Sequence, residues 1–209
     1  MKKLILSVNL ILTLCFGANI DDAISSYKKG DYNIALPIFQ KLANKNDSLA
    51  QEYLGLMYAD GLGVKIDYVK AYEYSKKSCD NKNMKGCYNQ GVLLSFGKGV
   101  KQNHFESTKL YEKSCNAQVY SACHNLGLNY FSGNGVFLDF TKAVELFSKA
   151  CENAYLTSCV NLGYMYQNAY GVNKDYKKAK DLYKKSCDGG FQKGCEFLEA
   201  TFLLQELEK

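Results

Sequence analysis

The sequence contains no arginine: all 26 of its basic residues are lysines. Specific phosphate and nucleic-acid recognition leans on the planar, bidentate guanidinium, so this absence argues against a nucleic-acid-binding role. The lysines alternate with acids in the manner of solvated helix faces, and the formal charge is +5. Histidine is nearly absent as well. With His104 and His124 alone there is no histidine cluster to hold a catalytic metal, and neither a metal nor another cofactor is expected. Beyond residue 16 there is no long apolar run, so no membrane span is expected in the mature chain and it should be soluble.

The one apolar run, Leu4–Phe16, follows the basic Met1-Lys-Lys start. It is too short for a stable transmembrane helix but fits the h-region of a secretory signal peptide, with Gly17 and Ala18 offering a cleavage site. Residues 1–18 are therefore expected to be a signal peptide and the mature protein secreted or periplasmic. Losing Lys2 and Lys3 leaves a charge of +3. Cys15 invites the alternative of lipid attachment, against which stands Leu14, a large residue where such sites want a small one.

What is present in abundance is repetition. Cys79, Cys115, Cys151 and Cys187 lie 36 residues apart, and so do Cys87, Cys123, Cys159 and Cys195. Gly55, Gly91, Gly127 and Gly163 keep the same step, as do Gly63, Gly99, Gly135 and Gly171, each followed by valine. A fixed period of this length marks stacked structural repeats. Each unit carries two helical patterns. In the first, Ala122, Leu126 and Tyr130 share one face, and Gly127 beside them suits a close helix–helix approach. A helix-interior glycine costs about 1 kcal/mol relative to alanine, so its recurrence implies a packing reason. Gly133 and Gly135 tolerate a left-handed C-terminal cap. Asp139 then opens the second helix, with Asp67, Asn103 and Asp175 at the same phase, all good N-caps. The expected architecture is all-α, antiparallel helix pairs that must stack to bury their faces.

Without Cys15, eight cysteines remain, an even number suited to an oxidising compartment. They form four Cys-x7-Cys pairs: Cys79/Cys87, Cys115/Cys123, Cys151/Cys159 and Cys187/Cys195. One member ends a second helix and the other opens the next first helix, which brings them within disulfide range. Zinc binding is the rival reading. Each pair would supply only two thiolates, and an exported protein rarely keeps them free. Residues 19–49 read as a degenerate first repeat: Asp31, Ala35 and Lys41 match Asp67, Ala71 and Lys77, but the cysteine phase falls on Ala43 and Gln51. Residues 50–193 hold four repeats, and 194–209 a capping helix with Glu199 in place of the packing glycine. This implies about eleven helices in one continuous domain from residue 19, as a monomer.

The motifs Ala-x3-Leu-Gly-x2-Tyr, Gly-x-Gly-Val-x2-Asp and Lys-Ala resemble Sel-like repeats, relatives of the tetratricopeptide repeat. With Cys-x7-Cys at constant phase the chain resembles, more narrowly, the Helicobacter cysteine-rich protein family. Gln90, Leu94, Ala169 and Ser107 depart from the pattern. The resemblance implies a right-handed solenoid, secretion, and a role as a penicillin-binding protein or weak β-lactamase with a bearing on antibiotic resistance.

The residues give that enzymatic role little support. Serine β-lactamases use Ser-x-x-Lys with Ser-x-Asn and Lys-Thr-Gly. Ser25–Lys28, Ser26–Lys29 and Ser95–Lys98 match the first, Ser132–Asn134 the second, and Lys-Thr-Gly is absent. In so lysine-rich a chain such short matches arise by chance, and the catalytic residues stay unknown. His104 shares the phase of Tyr68, Phe140 and Tyr176 and should serve packing. His124 shares that of Glu52, Tyr88 and Val160, a position without fixed chemistry. Binding is easier to argue. Asn89, Asn125 and Asn161, in phase with Tyr53, lie on successive first helices, which commonly line the concave side of tetratricopeptide-like solenoids. Their amides could form a ladder for the backbone of an extended peptide. The competing reading has each amide satisfying local backbone. The expected function is a protein- or peptide-interaction scaffold outside the cytoplasm, the alternative a β-lactam or cell-wall-peptide binder.

Overall fold

The computed structural model describes residues 19–207, with side chains through Thr201. The expected leader, residues 1–18, lies outside the described residues. Among the described residues there are eleven α-helices and no strand. They are α1 Ile20–Lys29, α2 Tyr32–Ala43, α3 Ser48–Asp60, α4 Tyr68–Asp80, α5 Met84–Phe96, α6 His104–Asn116, α7 Tyr120–Ser132, α8 Phe140–Glu152, α9 Leu156–Asn168, α10 Tyr176–Asp188 and α11 Gln192–Leu207. From α3 to α10 each helix has 13 residues. None is long and apolar enough to cross a membrane.

The described residues group into two compact units, one ending at Gln102 and one beginning at Asn103. The first packs α1 through α5 as successive neighbours, the second α6 through α11. The loop at the boundary, 97–103, has the same length as the loops 61–67, 133–139 and 169–175, so the repeat runs through it without an inserted linker.

Second helices begin on a side-chain cap. Oδ1 of Asp67, Asn103, Asp139 and Asp175 accepts from the backbone N–H of Lys70, Glu106, Lys142 and Lys178 at 2.8–3.0 Å. This satisfies one of the donors that a helix start leaves without an intrahelical partner. First helices α3 and α5 are capped likewise by Asp47 and Asn83. Asp31, although in phase, makes no side-chain cap, in keeping with a degenerate first repeat.

The loop glycines are fixed by contact as well as by conformation. Gly135 and Gly171 have φ of 74° and 68°. A Cβ on Gly135 would run into the backbone of His104, and one on Gly171 would lie 2.5 Å from the carbonyl carbon of Phe140. The turn thus lies directly on the start of the preceding repeat's second helix. The first loop glycine is under less constraint: Ala169, its substitute, holds the same left-handed backbone at φ 57°.

Aromatic rings on four of the five second helices fill the cores of the two units. Phe39, Tyr111, Phe147 and Tyr183 share one phase of the 36-residue period and are fully buried. Phe147 lies over Gly127 and Tyr183 over Gly163, where an added Cβ would meet the ring at 2.7 and 2.6 Å. The packing glycine therefore makes room for a ring.

Four disulfides, Cys79–Cys87, Cys115–Cys123, Cys151–Cys159 and Cys187–Cys195, tie α4, α6, α8 and α10 to the first helix that follows each. Their Cα atoms are 4.4–4.7 Å apart, an approach that small neighbouring residues permit. A Cβ on Gly86 would lie 2.5 Å from that of Ser78, and one on Gly194 2.6 Å from that of Ser186. Ser78 and Ser186 also donate to the carbonyls of Ser48 and Leu156 one repeat earlier, at 2.7 and 3.1 Å. In the second unit Lys149 and Lys185 donate to the carbonyls of Cys115 and Cys151, closing the C-terminal ends of α6 and α8.

Candidate functional site

Each unit has a cavity between consecutive first helices. In the first unit it measures about 240 Å³ and lies between α3 and α5, with Leu56, Ala59, Tyr88, Asn89, Val92 and Leu93 in its walls. In the second unit it measures about 340 Å³ and is bounded by α7, α9 and the start of α11. Its walls include Leu128, Phe131, Val160, Asn161, Tyr164 and Met165. These two sets correspond residue for residue at a separation of 72, two repeats. The same register of the same helix thus makes a cavity twice.

Asn89 and Asn161 line these two cavities, and Asn125 occupies the same phase on α7. All three are half-buried, and among the described residues no hydrogen bond engages their side-chain amides. Other asparagines are occupied. Asn81 and Asn83 donate to Gln51 and Glu52 at 2.9 and 2.7 Å, Asn129 donates to Thr108 at 2.7 Å, and Asn153 and Asn168 bond carbonyls four residues back. Local backbone therefore does not account for the three amides in phase. An amide that offers two N–H donors and a carbonyl acceptor beside apolar walls suits a peptide backbone with apolar side chains.

The apolar walls are what the sequence reading missed. Leu128 and Tyr164 are large apolar side chains left 38% exposed on the groove face. Their signal was available, since Leu56, Val92, Leu128 and Tyr164 share one phase three residues after the asparagine position. The phase mixes residue types, so it does not stand out by identity.

The candidate Ser-x-x-Lys groups do not form catalytic pairs. Ser25 is exposed on α1, Ser26 and Ser95 are half-buried, and none is hydrogen-bonded to its lysine. Lys98 instead stands over the Tyr68 ring, 4.9 Å from its centroid. Ser132 is the exposed last residue of α7. Among the described residues no group of three or more His, Cys, Asp and Glu could hold a metal ion.

A serine–histidine contact does exist, away from these motifs. His124 Nδ1 and Ser158 Oγ share a hydrogen bond of 2.8 Å. His124 packs against Phe147 and Tyr155, and burial holds its pKa down at about 4. Ser158 is wholly buried, and no carboxylate contributes to the histidine's environment. The pair joins α7 to α9 and presents no nucleophile to solvent. Glu52, which shares this phase in the first unit, is likewise buried. Burial pushes its carboxyl pKa up, against the hydrogen bond from Asn83 and the attraction of Lys85. His104, at the start of α6, has a buried Nδ1 without a hydrogen-bond partner.

No curated protein matches the chain. Solved structures do. A Sel1 repeat protein from Oxalobacter formigenes superposes with a TM-score of 0.83 at 27% identity, covering 90% of this chain and 76% of that one. A protective antigen of uropathogenic Escherichia coli gives 0.82 at 28% identity; the alignment covers 94% of this chain but 44% of the antigen. Helicobacter pylori cysteine rich protein B is 32% identical over 65% of this chain and 97% of its own, with a TM-score of 0.51. The family model for the Sel1 repeat matches residues 48–83, 85–119, 121–155 and 157–191. Four matched repeats, helix pairs throughout and a bridge after the second helix of each matched repeat have one reading: the chain belongs to the Sel1 repeat family, as a disulfide-linked helical-repeat scaffold.

Proposed function

We propose that this scaffold works outside the cytoplasm and holds an extended peptide segment of a protein partner along its first helices. The observation that carries this reading is the recurrence of one cavity at a 72-residue offset, each copy pairing an unengaged asparagine amide with apolar walls. Each unit thus offers a peptide backbone the same chemistry, a free amide beside apolar walls. The four disulfides support an oxidising compartment. Selection of ligands from a random peptide library by the oxidised protein tests it. Enrichment is expected, and the combined change of Asn89, Asn125 and Asn161 to alanine should weaken the selected peptides about tenfold or more without unfolding the protein. Equal binding by that variant contradicts the reading.

Capture of a β-lactam or a cell-wall peptide, which the resemblance to Helicobacter cysteine-rich proteins implies, is the second reading. Any hydrolysis should be slow and survive Ser25→Ala, Ser26→Ala and Ser95→Ala individually, because none of these serines has a base beside it. A stable penicillin adduct on one serine, lost with its replacement, would make the protein a serine hydrolase instead.

A further inference from the structure

The aromatic position of the second helix is filled in four of the five repeats and vacant in one. Phe39, Tyr111, Phe147 and Tyr183 are fully buried, but the same phase on α4 is Ser75. Ser75 is 1% exposed, and its hydroxyl has no hydrogen-bond partner. A buried hydroxyl without a partner is destabilising, and here it replaces a ring that would have packed well. Its Oγ faces Gly55, the packing glycine of α3, at 2.7 Å from an ideal Cβ position. In the second unit the equivalent glycines, Gly127 and Gly163, carry the rings of Phe147 and Tyr183. The ring's floor is thus retained in the first unit while the ring is missing.

The cavity of about 240 Å³ between α3 and α5 adjoins this vacancy, with Gly55 and Ser75 among its lining residues. A dry apolar cavity of about 150 Å³ already admits benzene. Leu56, Val92 and Leu93 supply apolar walls, and Asn89, Asp60 and Lys98 supply polar groups. Asp60 and Lys98 form no ion pair with any described residue. Opposite charges beside an amide are complementary to the N–H and C=O groups of a peptide backbone.

We propose that the first-unit cavity is a specificity pocket for an aromatic side chain of the bound peptide, which supplies from outside the ring that Ser75 does not. The proposal rests on the reading of the first-helix groove as a peptide site, and it assigns that site its selectivity. In the second unit the same phase carries Phe147, whose ring forms part of the wall of that unit's own cavity.

N-acetyl-tyrosinamide, with N-acetyl-alaninamide as control, probes the pocket on the oxidised full chain by NMR. The tyrosine compound is expected to shift the side-chain amide of Asn89 and the methyl signals of Val92 and Leu93, and the alanine compound to leave them unmoved. Ser75→Phe, which restores the ring of the other repeats, should raise the Tm and weaken the tyrosine compound about tenfold or more. Should that variant fail to fold, Ala59→Phe narrows the cavity from α3 and should have the same effect on binding. Unmoved signals in the natural protein, or equal shifts in a folded filled variant, would overturn the proposal. Library-selected peptides that lack aromatic residues and bind Ser75→Phe unimpaired would also overturn it, yet leave the groove reading standing.

Discussion

His124 carries a titratable group into a place where charge is costly. Burial holds its pKa at about 4 against an ordinary 6.5, because the imidazolium would lose its hydration between Phe147 and Tyr155. The unfolded chain therefore takes up a proton near 6.5 that the folded chain refuses. The contribution of neutral His124 to stability is complete above 6.5 and is lost as pH falls from there to about 4. The loss amounts to about 3 kcal/mol at the lower end. Denaturant unfolding at pH 7 and pH 4.5 should show it, and His124→Val, which adopts the residue of the next repeat, should remove most of the difference. An unchanged pH dependence in that variant would contradict the account. Nothing in the sequence announces this pair. His124 shares its phase with Glu52, Tyr88 and Val160, and Ser158 occupies a position that only has to be small, as Ala50, Gly86, Ala122 and Gly194 show. Burial by residues 23 and 31 positions away decides the chemistry.

The helices and their joints were far more legible. Caps at Asp67, Asn103, Asp139 and Asp175, helix ends at Gly133 and Ala169, and the pairing of helices all follow from local signals. What local signals do not give is why the second loop glycine never varies, since its constraint comes from the backbone 31 residues earlier. Gly171→Ala combines a left-handed backbone with a clash against Phe140, and should cost about 2–4 kcal/mol. Ala169→Gly, at a left-handed position with a proven side chain, should be neutral or slightly stabilising. Thermal unfolding of both variants tests the contrast; similar effects from both would refute it. At the opposite joint, replacing Cys151 and Cys159 with alanine frees a short loop and should cost about 2–3 kcal/mol by chain-entropy reasoning. Denaturation midpoints of oxidised protein and variant measure this, and equal midpoints would show the bridge to be energetically idle.

Over the molecule as a whole, the period is visible in the sequence but the groove is only half visible. The asparagine phase is legible because three of its members are identical. The walls are not, because Leu56, Val92, Leu128 and Tyr164 look like ordinary core residues until the structure leaves Leu128 and Tyr164 exposed on the groove face. Groove walls come from helices a full repeat apart, and the aromatic vacancy at Ser75 shows only when the same phase is compared across all five repeats. The central claim is that the first-helix cavity of each unit binds peptide. Side-chain amide NMR signals of the asparagines, followed during titration with a library-selected peptide, test it most directly. The account predicts that Asn89 and Asn161 each shift in proportion to occupancy of their own unit's cavity, while Asn153 and Asn168, bonded to their own helices, stay fixed. Shifts confined to Asn153 and Asn168, with Asn89 and Asn161 unmoved, would contradict it.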